Sequence, residues 1–164
     1  MAMRWLDRDY LQGALADSVA DARLRNWRDA RSSVSRAESG ALAVLTDAIS
    51  LSDAVVDVFS LLPQDAVDMI LVSGDRQRGY ERLRLRYTHA EVIEDEARTL
   101  TEFLRRGAEI VVDEMHVLGP GHYEHSFVLA GRGAFSLLFH RVDLTSSPVS
   151  PDVRNRLIGP DRAE

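Results

Sequence analysis

The sequence predicts an α+β protein in which N-terminal helices pack on an antiparallel sheet. The first half of the chain carries apolar residues at helical spacing, the second half contains alternating β-rich runs, and glycine-bearing turns separate the last of these runs. A chain of 164 residues with 45% hydrophobic residues can bury one sizeable core. Residues 1–146 are therefore predicted to form a single domain.

Two helices are predicted in the N-terminal half. Over about residues 5–28, apolar side chains cluster on one side at 100° per residue, as an amphipathic helix requires. The serines and glycine of residues 31–40 predict a connection between helices. Over about residues 38–62 the apolar side chains cover a wide arc, which predicts a mostly buried second helix. The remaining side of this helix is expected to be an acidic face formed by Asp47, Asp53 and Asp57.

A hairpin and a short helix are predicted next. Residues 67–73 are a continuous apolar run, and residues 80–89 alternate leucine or tyrosine with arginine, so the two runs predict paired strands. Over about residues 96–106, acidic side chains precede an apolar stretch and arginines follow it. This order of charge suits the helix dipole and predicts a short helix.

The last part of the sheet is predicted to be a three-stranded meander. Its β-rich runs are residues 109–118, 123–129 and 134–143, and tight glycine-bearing turns separate them. Residues 147–164 are polar and rich in proline, so they are predicted to form an extended, partly ordered tail.

Composition removes several classes of function. The chain has no cysteine, which excludes disulfides, thiolate metal sites and a cysteine nucleophile. All 20 basic residues are arginine, which excludes Schiff-base chemistry and a phosphate-binding lysine. The formal charge of −6 makes nucleic acid an unfavourable partner, because duplex binding needs a positively charged footprint.

No targeting or membrane segment is expected. Charged residues interrupt the N-terminal stretch at once, so no signal peptide is predicted. Aspartates also interrupt the longest apolar region, residues 41–62, and each would cost about 2.5–3.5 kcal/mol near the centre of a bilayer. The sequence therefore predicts a soluble, cytoplasmic protein without a membrane partner.

The histidines suggest the most specific chemistry. If residues 119–122 form a four-residue turn, His116 pairs with His125 and Glu114 lies two residues along the same face. A second four-residue turn would place His140 diagonal to His125. Two histidines and a carboxylate could bind a divalent metal with open positions for substrate.

Two alternatives to this metal site are open. Without metal, one histidine could act as a general base that Glu114 orients. Equally, histidines suit the wetter end of a half-covered sheet. The choice depends on the strand register, because a shift of one residue moves a strand's side chains to the other face.

A row of arginines marks one face of the predicted hairpin. Arg82, Arg84 and Arg86 alternate with apolar residues and could bind an acidic partner or an anion. The alternative is a charged outer face that discourages wrong strand pairing and whose charges nearby carboxylates satisfy.

The sequence contains no catalytic or cofactor motif of high specificity. It therefore favours a non-catalytic interaction module without a cofactor, such as an adaptor, an inhibitor, an immunity-type binder or a subunit of an oligomer. Its partner would be another protein or a second copy of the chain. The alternative is a small α+β enzyme with a pocket, in a metal-dependent or a metal-free version, that uses Glu114, His116, His125 and His140.

Overall fold

The computed structural model describes residues 3–94, 107–130 and 133–159. Within these ranges the α+β class is confirmed, with helices at the N-terminus and antiparallel strands after them. The helices are α1 (Arg8–Leu11), α2 (Asp17–Ala37), α3 (Ala41–Asp47) and α4 (Pro151–Ile158). The strands are β1 (Val55–Leu62), β2 (Ala66–Asp75), β3 (Gly79–Thr88), β4 (Glu91–Glu94), β5 (Ile110–Gly119), β6 (His122–Leu129), β7 (Gly133–Phe139) and β8 (Arg141–Val149).

The strands form two antiparallel sheets that share a corner. Sheet A has the order β1-β2-β3-β8, and sheet B has the order β4-β7-β6-β5. The chain passes from β3 into β4 and from β7 into β8 after very short breaks, so the paired strands β3 and β8 continue into sheet B as β4 and β7. On the opposite side, Val56 N donates to Ala108 O and Gly107 N donates to Val56 O, both at 2.8 Å. The two sheets thus curve around one core.

The inner faces of both sheets line this core. Sheet B contributes Phe127 and Phe135, whose rings stack with centroids 4.9 Å apart. Sheet A contributes Leu71, Leu83 and Leu85, all fully buried. Burial of this apolar surface is the main force that stabilises the fold.

The predicted boundary between the N-terminal helices is wrong. Residues 5–16 contain only α1, and α2 continues to Ala37 through the serine-rich stretch that predicted a connection. Serines fit inside this helix because their hydroxyls can bond to the preceding turn: Ser33 Oγ donates to Asp29 O at 2.8 Å. Val34 also anchors this turn in the core.

The second predicted helix is wrong over its C-terminal part. α3 ends at Asp47, and the apolar run that follows is strand β1, which pairs with β2. Periodicity cannot separate a buried strand from a buried helix over so short a run, and β-branched residues such as Val55 and Val56 suit a strand.

The predicted acidic face is therefore wrong as well. Asp47 is the last residue of α3. Asp53 lies in the following loop at φ 64°, and Asp57 is buried where the register of β1 shifts. Because these aspartates belong to a helix, a loop and a strand, they form no common stripe.

The hairpin of β2 and β3 and the meander of β5, β6 and β7 confirm the predicted strands. The third run of the meander divides at His140, because residues after it join sheet A as β8.

The predicted extended tail is wrong for residues 147–158: β8 continues to Val149, and α4 follows with Ser150 as its cap. The predicted helix over residues 96–106 lies outside the described residues. Among the described residues, no helix is both long enough and apolar enough to cross a bilayer.

Gly107 is the point where the backbone before β5 touches α4. A Cβ at this position would lie 2.2 Å from Leu157 O, and the residue has φ +83°. Gly159 has a similar φ of +80° but open space around a Cβ. We expect Gly107→Ala and Gly159→Ala each to carry a backbone cost of about 1–3 kcal/mol, because both positions have positive φ. Gly107→Ala should lose roughly 1–3 kcal/mol more through the clash.

Urea unfolding of the two glycine variants measures this difference directly. Both variants place a side chain at positive φ, but only Gly107→Ala also clashes with Leu157 O, so it should unfold at the lower urea concentration. Equal midpoints for the two variants would mean that α4 moves away from Gly107 at no cost.

Candidate functional site

The predicted alignment of β5 with β6 is wrong by one residue. His116 pairs with Glu124, and Met115 pairs with His125. Gly119 pairs with His122, so the turn contains two residues, and the register shifts between Val117 and Gly119. Successive residues of a strand point to opposite faces, so His116 and His125 lie on opposite sides of sheet B.

The structure divides the four predicted metal ligands among three places. Glu114 and His116 meet on the outer face of sheet B, with Oε2 and Nε2 3.0 Å apart. His125 lies in the core, and His140 is exposed at the corner between the sheets, where its ring centroid is 4.3 Å from that of His122. In the described part of the chain, no group of three or more His, Asp or Glu residues could hold a metal ion.

A buried polar chain crosses the core on the inner side of sheet B. Asp113 Oδ2 accepts hydrogen bonds from Arg31 at 3.1 Å and from His125 Nε2 at 3.0 Å. An ionised carboxylate can only accept, so Nε2 of His125 carries the proton and Nδ1 accepts from the Tyr87 hydroxyl at 2.8 Å. The chain therefore runs from Arg31 through Asp113 and His125 to Tyr87.

The surroundings fix the charge of each member of this chain. Burial raises the pKa of Asp113, but the hydrogen bonds and charges of His125 and Arg31 outweigh it and lower the pKa overall. Burial lowers the pKa of His125 against the pull of Asp113. Burial, aided by Asp113, raises the pKa of Tyr87 well above its usual value. At neutral pH the aspartate is ionised, the imidazole is neutral and the phenol keeps its proton.

Arg31 ties this chain to the helices. Its guanidinium donates to Leu45 O and Ile49 O at 2.8 Å, and it lies 5.1 Å from the centre of the Trp27 ring. Leu45 lies in the last turn of α3 and Ile49 lies two residues beyond its end, so the guanidinium sits at the C-terminal end of the helix, where a cation is favourable. Sequence reasoning missed Arg31 because its segment was interpreted as a connection, although an arginine one helical turn before Val34 was visible.

The predicted arginine row lies on the outer face of sheet A. Arg82 pairs with Asp57 at 3.1 Å, and Arg84 pairs with Asp68. In the strand register, Arg86 is opposite Asp68 on β2 and opposite Asp143 on β8. Asp143, however, accepts a hydrogen bond from the Arg141 guanidinium at 2.6 Å. Within the described residues, Arg86 is exposed and forms no ion pair.

The centre of this face is open. Arg84 keeps 51% of its side chain exposed, and Val58, two strands away in the same cross-strand row, keeps 37%. Helix α4 covers the far end of the face, where the Arg154 guanidinium lies 5.8 Å from the centre of the Tyr80 ring. We call the exposed area around Val58, Ile70, Arg84, Arg86 and Thr145 the arginine face.

A small groove opens at the corner near His140. Its volume is about 250 Å³, and it lies between the start of α3 and the start of β8, with Tyr123 among the residues that line it. Burial and a hydrogen bond to Glu38 raise the pKa of Tyr123. The volume falls below the ~300–1,000 Å³ that is common for ligand pockets, so this groove is the weaker candidate.

Comparisons of the chain with protein-family models, with curated proteins and with solved structures find no match.

Proposed function

We propose that the chain is a non-catalytic protein-interaction module that binds an acidic segment of its partner on the arginine face. The observation that carries this proposal is Arg86, an exposed guanidinium without a carboxylate partner among the described residues, at the centre of an open sheet face. Arg84 beside it is half exposed. Arg84 is paired with Asp68, so Arg86 is the cation that is available to a partner, and the exposed part of Arg84 extends the surface beside it.

The chemistry of arginine supports an acidic partner. A guanidinium binds a carboxylate through two parallel hydrogen bonds, and arginine is enriched at protein interfaces. The half-exposed Val58 and the partly buried Ile70 add apolar contact next to these cations. Strand β3 is hydrogen-bonded to β2 on one side and to β8 on the other, so its backbone is already ordered. Binding of a partner therefore costs little backbone entropy.

The location of the acid–base groups also supports a non-catalytic role. His125, Asp113 and Tyr87 satisfy one another inside the core, so their hydrogen-bonding groups are used for the fold. The type of module, its partner and a cytoplasmic location remain predictions from the sequence.

Charge reversal at Arg86 tests the proposal. The wild-type chain, used as bait, should recover a stoichiometric partner or a second copy of itself, and Arg86→Glu should weaken that binding at least about tenfold. Isothermal calorimetry with the recovered partner gives the affinity, and its dependence on salt reports the charge contacts.

Arg25→Glu is the matched control, since Arg25 is an exposed arginine on α2 away from sheet A. It makes the same change in net charge and should leave the affinity unchanged. Recovery of no stoichiometric partner, including a second copy, would refute the proposal. Equal affinities for wild type and Arg86→Glu would also refute it.

A further inference from the structure

Three histidines from separate parts of the chain meet at the corner between the two sheets. His89 follows β3, His122 begins β6, and His140 lies between β7 and β8. The centroid of the His140 ring is 4.3 Å from that of His122 and 5.4 Å from that of His89. All three side chains are exposed. We call this set of residues the histidine corner.

The backbone holds the histidine corner in place. His140 N donates a hydrogen bond to Thr88 O at 3.2 Å, which ties the junction of β7 and β8 to the end of β3. His89 has φ 49°, a left-handed conformation that is uncommon for a residue with a side chain. Strained conformations of this kind cluster at functional sites, where the surrounding structure maintains them. The fold therefore fixes the backbone positions from which these rings extend.

His122 has the tautomer of a metal ligand. Its Nδ1 atom lies 2.8 Å from Pro120 O, and a carbonyl oxygen can only accept, so Nδ1 carries the proton and donates it. The other nitrogen of the neutral ring, Nε2, therefore keeps its lone pair. Histidines that bind metals usually donate their second ring N–H to a carbonyl or a carboxylate in this way, because the bond orients the ring.

His140 supplies a second imidazole next to this lone pair. Among the described residues its ring nitrogens form no hydrogen bond, and its ring contacts are those with His89 and His122. The adjacent Arg141 would repel a cation, but its guanidinium donates to Asp143 at 2.6 Å. This carboxylate offsets the positive charge beside the site.

The type and number of ligands set the class of metal. Imidazole nitrogens suit Zn²⁺, Ni²⁺ and Cu²⁺, whereas Mg²⁺ and Ca²⁺ prefer oxygen. In the part of the chain that the structure describes, no three His, Asp or Glu side chains can hold one ion. Two imidazoles therefore bind the ion, and water or another ligand takes its remaining positions. His140 also lines the corner groove, which offers space for such a ligand.

We propose that His122 and His140 bind a divalent transition-metal ion at the histidine corner. Both side chains are exposed, so binding leaves the two sheets unchanged. The ring of His89 is farther from His140 than that of His122 and does not bind the ion. Of the four ligands predicted from the sequence, this site uses His140 alone. The proposal does not depend on the arginine face.

Calorimetric titration of Zn²⁺ into the chain without a histidine tag tests the site. Wild type should bind a single ion, and Mg²⁺ should give no binding heat because it prefers oxygen ligands. His122→Phe and His140→Phe each keep an aromatic ring at the corner but remove its nitrogens. Each variant should weaken Zn²⁺ binding at least about tenfold.

His89→Asn is the matched control for these variants. It removes a histidine from the same corner, and asparagine tolerates the left-handed backbone at this position. Its affinity for Zn²⁺ should stay close to that of wild type. Absence of Zn²⁺ binding to wild type would overturn the proposal, and so would unchanged affinity in His122→Phe or in His140→Phe. A loss in His89→Asn as large as in the phenylalanine variants would overturn the assignment to His122 and His140.

Discussion

Replacing Asp113 by alanine is expected to lower the free energy of unfolding by about 3–5 kcal/mol, because it removes one partner of a buried ion pair. The substitution leaves Arg31 without its carboxylate and His125 without its acceptor in the core. Both groups are too deeply buried for water to replace the lost contacts fully. The loss is a large part of the ~5–15 kcal/mol that stabilises most domains.

Asp143→Ala is the matched control for Asp113→Ala. Asp143 also pairs with an arginine, Arg141, but 50% of its side chain is exposed. Exposed pairs contribute about 0–1 kcal/mol, so this variant should unfold close to wild type. Urea unfolding monitored by circular dichroism measures both. A similar small loss in the two variants would show that the core network adds little to stability.

Glu114→Ala is expected to release residues 3–6, which we call the N-terminal strap, and to lower the free energy of unfolding by about 3 kcal/mol. The alanine removes the acceptor for the backbone N–H groups of residues 4–6. Release of the strap lets water satisfy these groups, which limits the total cost. The loss of order should therefore be local, unlike that caused by Asp113→Ala.

Hydrogen exchange separates the local effect from a global one. Amides of Arg4, Trp5 and Leu6 should exchange much faster in Glu114→Ala, while amides of Phe127 in the core strand β6 keep most of their protection. Glu81→Ala removes an exposed glutamate on β3 and should change neither. Unchanged protection of residues 4–6 in Glu114→Ala would show that other contacts hold the strap.

Strands with alternating side chains were predictable from the sequence. The run from Tyr80 to His89 places leucines and Tyr87 on one side and arginines on the other, and this period of two belongs to a strand. The glycines of residues 119–121 and 131–133 likewise marked the turns of the meander. These patterns can be recognised from neighbouring residues alone, because the alternation of apolar and charged side chains shows which face of the strand each one occupies.

Other features depend on distant partners. Residues 55–62 carry apolar side chains on both faces and do not alternate regularly, so β1 is defined by its pairing with β2 and by the hydrogen bond from Val56 N to Ala108 O. The irregularity between Val117 and Gly119 shifts the register by one residue and so separates His116 from His125. One extra residue in one of two paired strands is enough to change which face each histidine occupies.

The sequence by itself determined the fold class, the hairpin, the meander and the absence of cysteine and lysine chemistry, because these follow from composition and from periodicity within a segment. The tertiary structure alone decided that Arg31, Asp113, His125 and Tyr87 form one chain and that Glu114 receives the N-terminal strap. These residues are far apart in sequence, and their contacts exist only once strand register and helix packing have brought them within hydrogen-bonding distance.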